Sequence, residues 1–106
     1  MRKSDIIINE IVKMVNSKYP DSEIYLYGSQ ARGESKEYSD WDLLILFNLQ
    51  NISFDLETKV MDDFYDVELH TGTIISPMIY SKSDWNEKHS NTALYENIQK
   101  EGIRIK

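Results

Sequence analysis

The 106 residues predict an α+β domain, and three observations predict it. The hydrophobic period switches several times between about 3.6, the helical value, and 2, the strand value. The resulting order is helix, strand, short helix, strand, helix, strand, helices, which gives three strands with helices packed mainly on one face. No internal repeat, low-complexity tract or linker interrupts residues 1–106, so the chain reads as one domain with one modest core. It is too short for a separate substrate-recognition domain.

The first helix opens at Ser4, a candidate N-cap, with Asp5 suited to the positive helix end. Ile7, Ile8, Ile11, Val12 and Val15 form its apolar face, and Tyr19-Pro20-Asp21-Ser22 stops it. Glu23 to Tyr27 is a strand, Ile24 and Leu26 pointing one way and Tyr25 and Tyr27 the other. Gln30 to Gly33 is a short helix and Glu34 to Tyr38 an exposed polar loop, its charges Glu34, Lys36 and Glu37 read as solvated. A second strand opens on Ser39-Asp40-Trp41-Asp42 and is continuously apolar from Leu43 to Phe47.

After a polar connection, Asn48 to Ser53, the residues Asp55 to His70 read as a helix with a buried stripe of Val60, Met61, Phe64 and Val67, stopped by Gly72. A competing pattern exists at its end. Tyr65, Val67 and Leu69 alternate with Asp66, Glu68 and His70, as a strand would have it. Thr73 to Tyr80 is the third strand, and Pro77 puts it at a sheet edge or a bulge. Ser83-Asp84-Trp85 starts a helix that breaks near His89 to Asn91. Thr92 to Lys100 forms the last one, ended by Gly102. The tail Ile103-Arg104-Ile105-Lys106 is apolar and basic by turns, a pattern for an added strand or a docking segment. With several tyrosines it also leaves a homo-oligomer open.

Composition narrows the function classes. Apolar residues at 41% and charged residues at 28% are ordinary for a globular protein, and no apolar run approaches the roughly 18 residues of a membrane span. The basic start is followed by Asn9, Glu10 and Lys13, which is no signal peptide. The absence of cysteine excludes disulfides and thiolate metal sites, and with the missing signal it leans toward the cytoplasm. A net charge of -6 argues against nucleic acid as a partner, because Lys and Arg contacts to phosphate supply most of that affinity.

Two stretches carry chemistry. Asp40 and Asp42 stand two apart on an extended segment, so both carboxylates project from one side of the sheet. Like charges that close need a cation, and a pair of hard oxygen ligands with room for water and phosphate is how Mg²⁺ is usually held. Gly28-Ser29 supplies the other half. A glycine after a strand lets backbone approach a phosphate, and free N–H groups in the turn, beside a serine hydroxyl, form an anion-binding concavity. Arg32 is the cation nearest this turn; it contacts a triphosphate or pairs on the surface with Glu34 or another carboxylate. An EF-hand is excluded, since Leu43 to Phe47 follow the second aspartate.

At these residues the chain resembles the minimal nucleotidyltransferases of the DNA polymerase β superfamily, whose signature is Gly-Ser followed at a set distance by Asp-x-Asp/Glu. Here Gly28-Ser29 and Asp40-Trp41-Asp42 stand with ten residues, Gln30 to Ser39, between them. Ala31-Arg32-Gly33, Ser39 before the first aspartate and the apolar run after the second are also usual in small stand-alone members. The motif covers the second quarter of the chain, and the length fits most of the rest.

The resemblance implies a polymerase β-like core with a small mixed sheet. It implies transfer of a nucleoside monophosphate, most simply from ATP, to an acceptor hydroxyl, with pyrophosphate leaving. Gly28, Ser29 and Arg32 would hold the nucleotide, and Asp40 and Asp42 Mg²⁺, two ions in a fully active enzyme. Relatives are often encoded beside a HEPN-domain toxin for which they act as antitoxin, so a HEPN protein is an implied partner and a hydroxyl on it an implied acceptor. The family's third carboxylate generally lies on the strand beside Asp-x-Asp. Thr73 to Tyr80 has none. Asp66 or Glu68 could fill the role if their segment is extended, whereas in a helix both are ordinary exposed acids. That departure supports an alternative, a subunit that binds and masks its partner without turnover. His70 and His89 have no partner at metal-ligand spacing, Trp41 faces away from the aspartates into the core, and Trp85 anchors its helix.

Overall fold

The computed structural model describes residues 3–34 and 39–106. The elements run α1 (Lys3–Lys18), β1 (Glu23–Tyr27), α2 (Ser29–Arg32), β2 (Trp41–Phe47), α3 (Phe54–Thr71), β3 (Ile75–Ser81), α4 (Lys82–Lys88), α5 (Ala93–Glu101) and β4 (Ile103–Arg104). The strands form one mixed sheet in the order β3-β2-β1-β4. β2 is antiparallel to β1 and parallel to β3, and β4 is antiparallel to β1. The fold is the small mixed α+β sheet that the sequence predicts.

Alternation along β2 divides the core in two. Trp41, Leu43, Ile45 and Phe47 point to the face covered by the two long helices, where they meet Ile7, Ile11 and Val15 of α1 and Val60, Phe64 and Val67 of α3. Leu44 and Leu46 point to the other face and meet Trp85 of α4 and Ile98 of α5. The main helical layer is thus on one face, and a smaller cluster closes part of the other. Trp85 anchors α4 as expected, its ring 5.2 Å from that of Tyr95 and 5.7 Å from that of Tyr80. His89 stacks on the same cluster, 4.5 Å from Tyr80, which makes it a structural histidine.

Several boundaries differ from expectation. α1 begins at Lys3, before Ser4, and α3 begins at Phe54, capped by Ser53, whose side chain accepts from the Leu56 N–H at 3.1 Å. Met61 is 43% exposed and lies outside the buried stripe. The alternating run from Tyr65 to His70 is helical, because Val67 completes the face begun by Val60 and Phe64 and Gly72, at φ 71°, ends the helix. β3 is an edge strand, in keeping with Pro77. The tail adds β4, the fourth strand, and the Ile105 N–H bonds the Ile24 carbonyl at 2.9 Å. Residues 35–38, most of the polar loop expected at Glu34 to Tyr38, lie outside the described residues.

Glu23 ties this second face together. Its carboxylate accepts from the Tyr25 hydroxyl at 3.0 Å and pairs with Arg104 of β4 at 3.2 Å and with Lys82 at the start of α4. Burial opposes its charge, but the hydrogen bonds from Lys82 and Tyr25 and the two cations outweigh that and hold the carboxyl below its ordinary range.

Candidate active site

β1 and β2 pair so that Tyr27 stands opposite Asp42, which brings the end of the first strand against the start of the second. Gly28 follows at φ 76° and ψ -157°, a conformation that L side chains rarely adopt. A Cβ at this position would overlap Asp42 Oδ2. The glycine is therefore demanded twice, by its dihedral and by the carboxylate lying over it. α2 starts immediately, with the Arg32 N–H bonding the Gly28 carbonyl at 3.1 Å, and turns out at Gly33.

Asp42 is half-buried and Asp40 exposed. Asp42 shares its face with Tyr27 and with Leu44, so the site is the open end of the smaller cluster, on the face opposite α1 and α3. Burial raises the Asp42 carboxyl above its usual range, the charge of Asp40 adds to this, and the Arg32 guanidinium acts against it. A half-buried carboxylate destabilised when charged, with a second carboxylate two residues away, forms a donor pair prepared for a cation. The parallel register puts Ser76 beside Asp42, and its hydroxyl donates to Asp40 Oδ2 at 3.4 Å. Gln30 Nε2 donates to the Ser39 carbonyl at 3.3 Å, tying α2 to the residue before Asp40.

The structure lays Asp42 over Gly28, with Ser29 at the start of α2 and Asp40 one residue before β2. Arg32 takes the pairing option, bonding Glu34 at 3.1 Å and Glu101 at 3.3 Å. Because their segment is helical, Asp66 and Glu68 fall in the case where both are ordinary acids. Both belong to α3 on the opposite face; Glu68 Oε1 accepts from the Ile75 N–H at 2.7 Å, and Asp66 is exposed. Among the described residues no three His, Cys, Asp or Glu side chains converge. Ser76 and Tyr27 are the neighbours that sequence reasoning missed. Tyr27 had a signal, its parity with Asp42 in a hairpin-like pair. Ser76 had none, because its place depends on the register of a parallel strand more than thirty residues away.

Comparison with known proteins gives this geometry its family. The sequence pattern described as "Nucleotidyltransferase domain" matches residues 8–104. A candidate protein adenylyltransferase of Methanocaldococcus jannaschii is 34% identical over 98 residues, 90% of this chain and 90% of that protein. A second from the same archaeon is 33% identical over 88 residues, and there the match spans 60% of the relative. In fold, the chain superposes with a TM-score of 0.68 on a chain of a toxin–antitoxin complex solved with AMP-PNP, at 17% identity and covering 93% of this chain and 72% of that one. The chain belongs to the nucleotidyltransferase family. Nucleotidyl transfer is accordingly the activity its family defines.

Proposed function

We infer that the chain transfers AMP from ATP to a hydroxyl on a partner protein, and that the partner is of the HEPN kind. The observation that carries this is the Gly28 turn pressed against Asp42, which unites a phosphate-facing backbone with a carboxylate pair. The M. jannaschii relative is named for protein adenylylation. A tri-AMPylated HEPN toxin from Shewanella oneidensis, bound to its MNT antitoxin, forms a complex in which one chain matches this fold with a TM-score of 0.63 at 14% identity, covering 96% of this chain and 71% of that one.

In this reading Gly28 admits the terminal phosphates to the turn and the Ser29 hydroxyl orients them. Asp40 and Asp42 offer hard oxygens for Mg²⁺, which when bound neutralises phosphate charge and eases ionisation of the attacking hydroxyl. Ser76 steadies Asp40 through its hydroxyl. Arg32 leaves Glu34 and Glu101 to meet phosphate charge; both are exposed partners, easily exchanged. Positioning and electrostatics carry phosphoryl chemistry, so few side chains suffice. The donor set fits one Mg²⁺ completed by nucleotide and water. That favours a second reading, in which the chain binds a nucleotide and masks its partner with weak turnover or none.

The two are separated by incubating the protein with Mg²⁺ and ATP labelled at the α-phosphate or at the γ-phosphate, in the presence of co-purifying protein. Transfer of the α-label alone, abolished by Asp42→Asn, is the expected result. No transfer of either label by a folded protein would leave the masking role.

A further inference from the structure

α3 has two apolar faces, and only one is used. Val60, Phe64 and Val67 enter the core. Phe54, Met61, Tyr65 and Leu69 are 81, 43, 55 and 67% exposed, the largest concentration of exposed apolar side chains on any element. At about 100° per residue these four fall within an arc of roughly 80°, centred about 140° from the core face. Met61, Tyr65 and Leu69 make a stripe at successive turns, with Phe54 two turns before it across exposed Thr58, on the helical layer opposite the face that carries the Asp40–Asp42 site.

The stripe is bordered by acids. Asp55, Asp62 and Asp66, all exposed, follow one another at spacings of seven and four along one side, and exposed Glu57 flanks the other, with half-buried Glu68 on the same side turned to the Ile75 N–H. Asp55 and Glu57 complement the helix N-terminus, but Asp62 and Asp66 lie beyond the first turn, where the helix dipole gives no reason for them. An apolar seam between charged rows is the pattern by which helices choose partners. The sign decides which partner. A second copy would set acid rows against acid rows, and an anionic lipid surface would be repelled by them and by the net charge of -6.

We propose that the outer face of α3 is a docking surface for a partner protein presenting an amphipathic helix with an apolar seam bordered by Lys or Arg. The surface offers recognition area apart from the Asp40–Asp42 site. It is independent of nucleotidyl transfer.

The test uses a designed three-heptad helical peptide with a leucine seam flanked by lysines, fluorescently labelled, and a counterpart flanked by glutamates, titrated with the full chain. The lysine peptide is expected to bind saturably, with affinity falling as salt rises, and the glutamate peptide to bind at least tenfold more weakly. Tyr65→Glu with Leu69→Glu is expected to weaken the lysine peptide at least tenfold. Since this variant adds negative charge, unspecific attraction would instead tighten binding, and unchanged or tighter binding overturns the proposal. The changes are at exposed positions, and circular dichroism checks the fold. Should the variant not fold, Asp62→Lys with Asp66→Lys is the second test: it is expected to reverse the preference between the peptides, and an unreversed preference overturns the proposal. A concentration-dependent dimer, or saturable binding to phosphatidylcholine–phosphatidylglycerol vesicles, that the double glutamate variant abolishes would make a second copy or lipid the occupant, and would likewise overturn it.

Discussion

A side chain at residue 28 has nowhere to go. Gly28→Ala meets both a left-handed backbone and Asp42 Oδ2, so it is expected to cost about 1–2 kcal/mol of stability, read by urea denaturation. By shifting Asp42 it is also expected to lower transfer on the order of 100-fold. Asp42 itself makes the opposite trade. Its carboxyl is raised by burial and by Asp40, so the unfolded chain ionises it more readily than the folded one. Stability is therefore lost as pH rises through the window from the usual carboxylate value to the raised one. Asp42→Asn is expected to raise the Tm at neutral pH while abolishing transfer, and the gain in Tm to vanish at acid pH where both states protonate the carboxyl. At this scale the sequence was most legible for Gly28 and Asp42, whose types and spacing already point to a turn beside a carboxylate, and the structure lays one over the other. It was silent on Ser76, which nothing local connects to Asp40.

At the scale of elements, α1 and α3 are joined by one buried carboxylate. Asp63 pairs with Lys18 at 2.7 Å and accepts from the Tyr19 hydroxyl. Burial works against its charge, yet the hydrogen bonds from Lys18 and Tyr19 and the charges of Lys18 and Lys59 prevail and hold the carboxyl below its ordinary value. A carboxyl lowered on folding contributes stability above the usual carboxylate range and loses it as pH falls. Asp63→Asn is expected to destabilise by about 1–2 kcal/mol at neutral pH, the difference shrinking in acid melts. Among the described residues, periodicity located α1, α3, α5 and the three long strands, while turn and cap residues located α2 and α4. It misjudged Met61, because a helix with apolar residues on two sides gives no local sign of which side the sheet will take. β4 was ambiguous for the reason that two residues cannot establish a period.

Across the whole molecule, the two faces of the sheet have different tasks. The face under α1 and α3 carries the larger cluster, and the face under α4 and α5 opens at one end into the site. Amides of Leu43 to Leu46, central and fully buried, are expected to exchange with deuterium only through global unfolding, and those of Ile103 and Arg104 through local opening, as hydrogen exchange followed by mass spectrometry would resolve. No helix among the described residues is long and apolar enough to cross a membrane. The pairing of β4 with β1 has a consequence for synthesis. β1 meets β2 on one edge, but its other edge finds a neighbour only when residues near 104 have been made, so the nascent chain carries an open strand edge through most of its translation. A ribosome stalled before residue 103 would display that edge, and holding it clear of other nascent chains becomes a task for whatever first meets the polypeptide at the exit tunnel.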